Sequence, residues 1–260
     1  HTAVGSVAAA LRDMGVRQGD RVVAILPNTP TALIAFLATA SLGAVWSICA
    51  PDMGHVAILD RFKQIEPKVL IAQDAYRHAG KIIDRKDVIE GIAAGLPSLN
   101  HKVVVPARDM MAEENTRTTA SDWHLWDAML NAPQSVESTQ VPFDHPLWIV
   151  YSSGTTGNPK PIVHGHGGII LESAKQSLHH DLRRGGRYCW LTSSGWIMWN
   201  VQGAALGQGA TVAMYDGAPN HPDMGVVWRF VAQEKLSYFG AGAAFFDGCR
   251  KAGVVARDYD

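Results

Sequence analysis

Helical and strand patterns alternate along most of this chain, and that alternation restricts its fold more than any other feature. Val4, Val7, Ala8 and Leu11 follow the spacing of one helical face, and Gly15 suits the left-handed residue that stops such a helix. Gly19-Asp20 then turns the chain into an apolar strand over 21–26. Pro27-Asn28-Thr29-Pro30 punctuates: Thr29 is placed to cap the next helix, Pro30 fits its first position, and Gly43 ends it. The pattern predicts further strands over 44–48, 68–72 and 101–105, with helices over 56–65 and 81–94 between them. Strands alternating with helices build a parallel sheet wound on both faces, so the class is α/β.

Residues 107–142 break the rhythm. The stretches 112–122 and 131–140 are polar and without period, and Trp123, Leu125, Trp126 and Met129 between them predict one short helix docked by its aromatic side. This region reads as a connection between two sheet-building parts, 1–106 and 143–260. Beyond it come predicted helices over 167–180, 196–206 and 223–235, strands over 187–191, 210–215 and 236–239, and a last helix interrupted at Gly248. The expected architecture is two doubly wound, mostly parallel sheet halves.

The most chemically informative segment is Tyr151-Ser152-Ser153-Gly154-Thr155-Thr156-Gly157-Asn158-Pro159-Lys160-Pro161, directly after the apolar run 147–150. Gly154 and Gly157 permit backbone turns closed to other residues and let main-chain N–H groups approach an anion. Ser152, Ser153, Thr155 and Thr156 add hydroxyl donors, and Lys160 adds a compact, mobile positive charge. These are the groups a polyphosphate requires. The Walker A pattern does not fit, because only Thr155 and Thr156 separate the glycines and Pro161 follows the lysine. With 23 basic and 24 acidic residues the net charge is -1, so a phosphate site here is local, and no basic surplus points to nucleic acid.

Cys49, Cys189 and Cys249 lie far apart with no CxxC pair, which argues against a disulfide framework or zinc site and makes a reducing cytoplasm the expected location. No apolar stretch reaches the length of a bilayer span. His164 and His166 in His-Gly-His-Gly-Gly are expected to shape the backbone where a helix begins; a metal site would need a third ligand, with His179 and His180 unplaced, and none is expected. Trp196 and Trp199, three apart, read as one helical face. The opening residues already follow helical spacing without an initiator methionine, so the chain is expected to be a piece of something longer.

The loop's spacing resembles the phosphate loop of the adenylate-forming superfamily, which holds acyl-CoA synthetases, luciferases and peptide-synthetase adenylation domains. Gly19-Asp20-Arg21-Val22, Leu26-Pro27-Asn28 and the stretch 42–47 resemble the opening motifs of acyl-CoA synthetases, and the stretch 215–223 resembles their acetyl-CoA synthetase branch. Three segments look like the acetoacetate–CoA ligase branch in particular: 60–70, 160–168 and 195–200. The resemblance covers nearly the whole chain. It implies a large, here incomplete, N-terminal AMP-binding domain that uses ATP, Mg2+ and CoA on small-molecule substrates. ATP and acetoacetate would form an acyl-adenylate, and CoA would displace AMP.

By the same resemblance Lys160, Thr155 and Thr156 would act in catalysis, while Ser152, Ser153, Gly154 and Gly157 would hold the nucleotide phosphates. Trp196, Met198 and Trp199 would line the acyl pocket; packing is the competing role, with Trp196 favoured for the pocket and Trp199 evenly placed. Arg77 and Lys81 correspond to a stretch that contacts the CoA nucleotide in the acetyl-CoA synthetase branch; a solvated basic turn is the alternative. Family motifs for adenine and ribose and the adenylation lysine are expected after Asp260, so the chain alone is expected to be inactive. Two rival functions remain: a ligase for another short acid such as acetate or propionate, and a non-catalytic phosphate-binding module.

Overall fold

The computed structural model describes residues 1–107, 122–152 and 157–259, which form two compact units. The first comprises His1–Tyr76 and Ile83–Gly168. Its elements are α1 (Thr2–Asp13), β1 (Arg21–Ile25), α2 (Pro30–Ser41), β2 (Val45–Cys49), α3 (His55–Phe62), β3 (Val69–Gln73), the outer ends of the hairpin strands β4 (Ala75–His78) and β5 (Lys81–Asp84), α4 (Lys86–Ala94), β6 (His101–Val105), β7 (His124–Leu125), α5 (Trp126–Leu130), β8 (Pro146–Tyr151), β9 (Pro161–Gly165) and the start of α6 (His166–His179). Seven strands form one sheet in the order β7-β6-β3-β1-β2-β8-β9. Every pairing is parallel except β8 with β9.

Strand alternation sends side chains to two helical layers. Val23 and Ile25, Val45 and Cys49, Leu70 and Ala72, Val104 and Ile149 share one cluster with Ile58 and Phe62 of α3 and Ile89 and Ile92 of α4. The opposite register carries Trp46, paired with Trp148 across β2 and β8, and Phe36 of α2 meets both indoles at centroid distances of 6.2 and 5.7 Å. All these strands are buried on both faces, as a parallel sheet requires.

Gly5 of α1 is pressed against the 131–140 segment: a Cβ there would stand 2.1 Å from the Gln134 carbonyl oxygen. Helix propensity alone favours alanine by about 1 kcal/mol, but overpacking against main chain costs about 1–3 kcal/mol. The clash is with backbone, which cannot rotate away. Gly5→Ala is therefore expected to lower the denaturant midpoint; a raised midpoint would show that propensity wins.

The second unit comprises Arg77–Ile82 and Ile169–Asp260. After α6 come β10 (Arg187–Leu191), α7 (Ile197–Ala204), β11 (Thr211–Val212), α8 (Val226–Gln233), β12 (Tyr238–Ala241) and α9 (Ala243–Lys251). A three-stranded parallel sheet runs β11-β10-β12. Leu182, Tyr188, Ala205 and Ala210 form a small core, and Tyr188 stacks on Tyr238 at 4.7 Å.

The α/β class and the mostly parallel sheets agree with the sequence. Several details do not. Residues 81–84 are a strand, not the first turn of a helix. Ala79 and Gly80 both hold positive φ, 47° and 77°, as a tight hairpin turn needs. Alanine is a poor signal for such a turn, so the sequence concealed it. Thr29 does not cap α2 with its side chain; its backbone carbonyl takes the Ala32 amide at 3.1 Å, and the buried hydroxyl finds no partner among the described residues. The strand expected over 210–215 shrinks to Thr211–Val212. Gly248 does not interrupt α9; it admits Met224, whose methyl would be 3.1 Å from a Cβ at that position. The expected division at 143 falls inside the first unit, because β8 and β9 extend the large sheet. Of the connection 107–142, residues 108–121 lie outside the described residues.

Candidate active site

The Ser/Thr/Gly segment falls between two antiparallel strands, β8 and the edge strand β9. Tyr151 faces Pro161 in the register of β8 and β9, and beyond it the Ser152 amide donates to the Lys160 carbonyl at 3.1 Å. The Lys160 amide returns to the Ser152 hydroxyl at 3.3 Å. Ser152 and Lys160 thus close the mouth of the hairpin, and the Lys160 side chain is exposed. At Gly157, where φ is 156°, no atom of the described residues lies within 4 Å of the place a Cβ would take. Ser153, Gly154, Thr155 and Thr156 lie outside the described residues.

The supports of this hairpin come from segments that sequence reading did not connect with it. The Tyr151 hydroxyl donates to the Arg61 carbonyl at 2.9 Å, and the Arg61 guanidinium lies 5.7 Å from the centre of the Tyr151 ring. Burial pushes the Tyr151 phenol well above its ordinary range, so it stays a neutral donor. Gln64, three residues along, sends its amide nitrogen to the Pro159 carbonyl at 2.9 Å and to the Asp60 carbonyl at 2.6 Å. Beneath the strand, Ser47 donates to the Ile149 carbonyl at 2.8 Å, and burial pushes the neighbouring Cys49 thiol up to about 12. That cysteine is no nucleophile. Arg61 and Gln64 sit within the 60–70 segment, whose side-chain partners 90 and 95 residues away no local pattern reveals.

The His-Gly-His motif has structural partners. His164 accepts the Trp148 indole N–H on Nδ1 at 2.8 Å, which fixes its tautomer. His145 donates to the Gly43 carbonyl at 2.7 Å and lies 5.8 Å, ring to ring, from His166. Burial, with His145 adding to it, lowers the His166 pKa. The His166 and Gly167 amides donate to the His145 and Phe143 carbonyls at 2.9 and 2.8 Å, so the motif seats the start of α6. Among the described residues no group of three or more His, Cys, Asp or Glu side chains gathers as a metal cage.

In the second unit Arg77 and Lys81 are exposed on the β4–β5 hairpin, and the His221 ring lies against Gly80 at its tip. Trp196 and Trp199 do not share a helical face. Trp196 is the residue before α7, extended at φ -103° and ψ 149°, and is 64% exposed; Trp199, inside the helix, is fully buried. Burial leaves Trp199 no surface for a ligand, whereas Trp196 is open and Met198 half-buried. Three-residue spacing puts two side chains on one face only where both are helical.

A doubly wound parallel sheet that ends in an antiparallel, glycine-rich hairpin carrying an exposed lysine describes a class of nucleotide-using enzymes, and residues 1–259 match the family "AMP-binding enzyme": the chain belongs to that family. Its similarity to particular members is also high. It is 43% identical over 255 residues to the acetoacetyl-coenzyme A synthetase of Rhizobium meliloti (strain 1021), and 40% identical over 247 residues to the acetoacetyl-CoA synthetase of Gallus gallus. These alignments take in 96% and 93% of the chain but only 39% and 37% of those relatives. The solved acetoacetyl-CoA synthetase from Streptomyces lividans superposes with a TM-score of 0.92 at 44% identity, over 99% of this chain and 39% of that one. The chain thus spans under half the length of the relatives it matches.

Proposed function

We propose that this chain belongs to an ATP-dependent acid–thiol ligase that converts acetoacetate to acetoacetyl-CoA through an acyl-adenylate. The observation that carries the reading is the hairpin mouth, where Ser152 and Lys160 are bonded to each other and the lysine side chain faces solvent. The names of the similar proteins support acetoacetate as the acid. In the first step a carboxylate oxygen attacks the α-phosphorus, and the bond to the β-phosphate breaks. Lys160 would stabilise the charge gathering on the departing pyrophosphate, and the hydroxyls and N–H groups that the sequence supplies over 152–157 would add donors. In the second step the CoA sulfur attacks the acyl carbon and AMP leaves.

The donor set also bears on magnesium. With no carboxylate cage among the described residues, the ion would be held by substrate phosphates and water, as Mg2+ commonly is. It would supply further neutralisation of phosphate charge. Arg77 and Lys81, exposed on their hairpin, would meet the phosphates of the CoA nucleotide, and Trp196 with Met198 would border the acyl group.

The test is acid-dependent pyrophosphate release by the full-length protein, with CoA-thioester formation followed in parallel. Acetoacetate is expected to give the highest kcat/KM among acetoacetate, acetate and propionate. A higher value for either rival moves the specificity to that acid, and no acid-dependent release at all leaves a phosphate-binding module. At limiting CoA, Arg77→Ala and Lys81→Ala should each raise KM for CoA; unchanged values would return that hairpin to the role of a solvated basic turn.

A further inference from the structure

Gln64 touches nothing that reacts, yet its side chain lies against the loop's returning limb. It follows α3 in a short 3-10 turn, Lys63–Ile65, and is exposed. Its amide nitrogen lies 2.6 Å from the Asp60 carbonyl oxygen and 2.9 Å from the Pro159 carbonyl oxygen. Both neighbours are acceptors only, so the nitrogen end of the carboxamide must face them. An –NH2 group has two hydrogens, and each has its acceptor. The first contact ties the side chain to the last turn of its own helix, and the second ties that helix to the residue before Lys160.

The outgoing limb has its own fastening to the same helix, through the Tyr151 hydroxyl on the Arg61 carbonyl at 2.9 Å. Both limbs of the hairpin are therefore moored to one turn of α3 and its continuation. The two bonds differ in one respect. Tyr151 is half-buried at the end of a paired strand, and its place is set by the sheet as well. Pro159 has no amide hydrogen and lies before the first paired residue of β9, so the peptide group it shares with Lys160 is held at its carbonyl by Gln64 and, among the described residues, at its N–H only by the 3.3 Å contact to the Ser152 hydroxyl.

We infer that Gln64 is a positioning residue for Lys160: by holding the Pro159 carbonyl to α3 it sets where the lysine ammonium stands when ATP is bound. This rests on the ligase reading above. A misplacement of about 1 Å can cost on the order of 10²-fold in rate, and partners one step removed from a site typically contribute about 10- to 100-fold. Gln64→Leu keeps the side chain's bulk and removes both donors. Because the residue is exposed, its loss should leave the melting temperature of the full-length protein nearly unchanged.

The experiment is a double-mutant cycle on adenylation, followed as acetoacetate-dependent pyrophosphate release. Gln64→Leu is expected to lower its kcat about 10-fold or more. If Gln64 works through the lysine, the same change made in Lys160→Ala should cost less than about 3-fold, since there is no ammonium left to place. Conversion of supplied acyl-adenylate to thioester should be unaffected in every variant. Full additivity of the two substitutions, no effect of Gln64→Leu, or an equal slowing of both half-reactions would each overturn the inference. The ligase reading fails separately, when the unsubstituted protein shows no acid-dependent release; Lys160→Ala without effect removes the role of the lysine on which the inference depends.

Discussion

Lys160→Ala is expected to slow acyl-adenylate formation about 10²-fold in the full-length protein and to leave the reaction of supplied acyl-adenylate with CoA nearly untouched. The size follows from what is removed: one charged donor aimed at charge that develops in the transition state, the kind of contact whose loss costs about 10²- to 10³-fold. The asymmetry follows from timing. On the ligase reading proposed above, pyrophosphate departs before the thiol attacks, so a lysine that serves its phosphates would have no part in the second step. The exposed side chain keeps the effect off folding, and the hairpin's closing bonds use the Lys160 main chain, which the substitution preserves. Single-turnover pyrophosphate release and thioester formation from synthetic adenylate separate the two steps. Equal slowing of both would make Lys160 a structural residue.

The second large effect is expected at a residue whose neighbour behaves in the opposite way. Trp199→Ala empties a fully buried indole site and should cost about 3–5 kcal/mol of stability. Trp196→Ala removes an indole that is 64% exposed, and its stability change should stay within about 0.5 kcal/mol. Its consequence should appear in acid choice: the ratio of kcat/KM for acetoacetate against longer acids should fall about 10-fold, with KM for ATP unchanged. Denaturation midpoints for both variants, beside kinetics for Trp196→Ala, check the pair. A fixed acid ratio would remove Trp196 from the pocket, and a stable Trp199→Ala would contradict its place in the core.

These two tryptophans also mark where sequence reading stops. Apolar period located the helices and most strands of the large sheet, because strands buried on both faces announce themselves as runs such as Val22-Val23-Ala24-Ile25. It failed where backbone conformation ran against residue preference. The Ala79-Gly80 turn lacks the usual asparagine or aspartate, and the following isoleucines matched a helical period. Trp196 failed for a related reason, since its distance from Trp199 was right but its backbone is extended. The Ser/Thr/Gly/Lys loop stood out in the sequence as a candidate phosphate site because its donors are contiguous. Its supports did not: Arg61, Gln64 and Ser47 reach β8 or the loop across 90, 95 and 102 residues, and one sequence holds no record of such pairings.

The place of β8 in the sheet has a consequence for how the protein is made. β2 finds β1 within a few dozen residues, but its other edge waits for β8, beyond the 107–142 connection. At about 5–20 residues per second, a ribosome needs roughly 5–20 s to supply that partner. Throughout the interval the Val45–Cys49 edge, with Trp46 upon it, is complete on one side and bare on the other. Bare apolar edges recruit strands from neighbouring molecules. The newborn chain is thus most vulnerable to self-association between the emergence of its second strand and that of its eighth, and a product terminated before Pro146 would carry that edge uncovered for its lifetime.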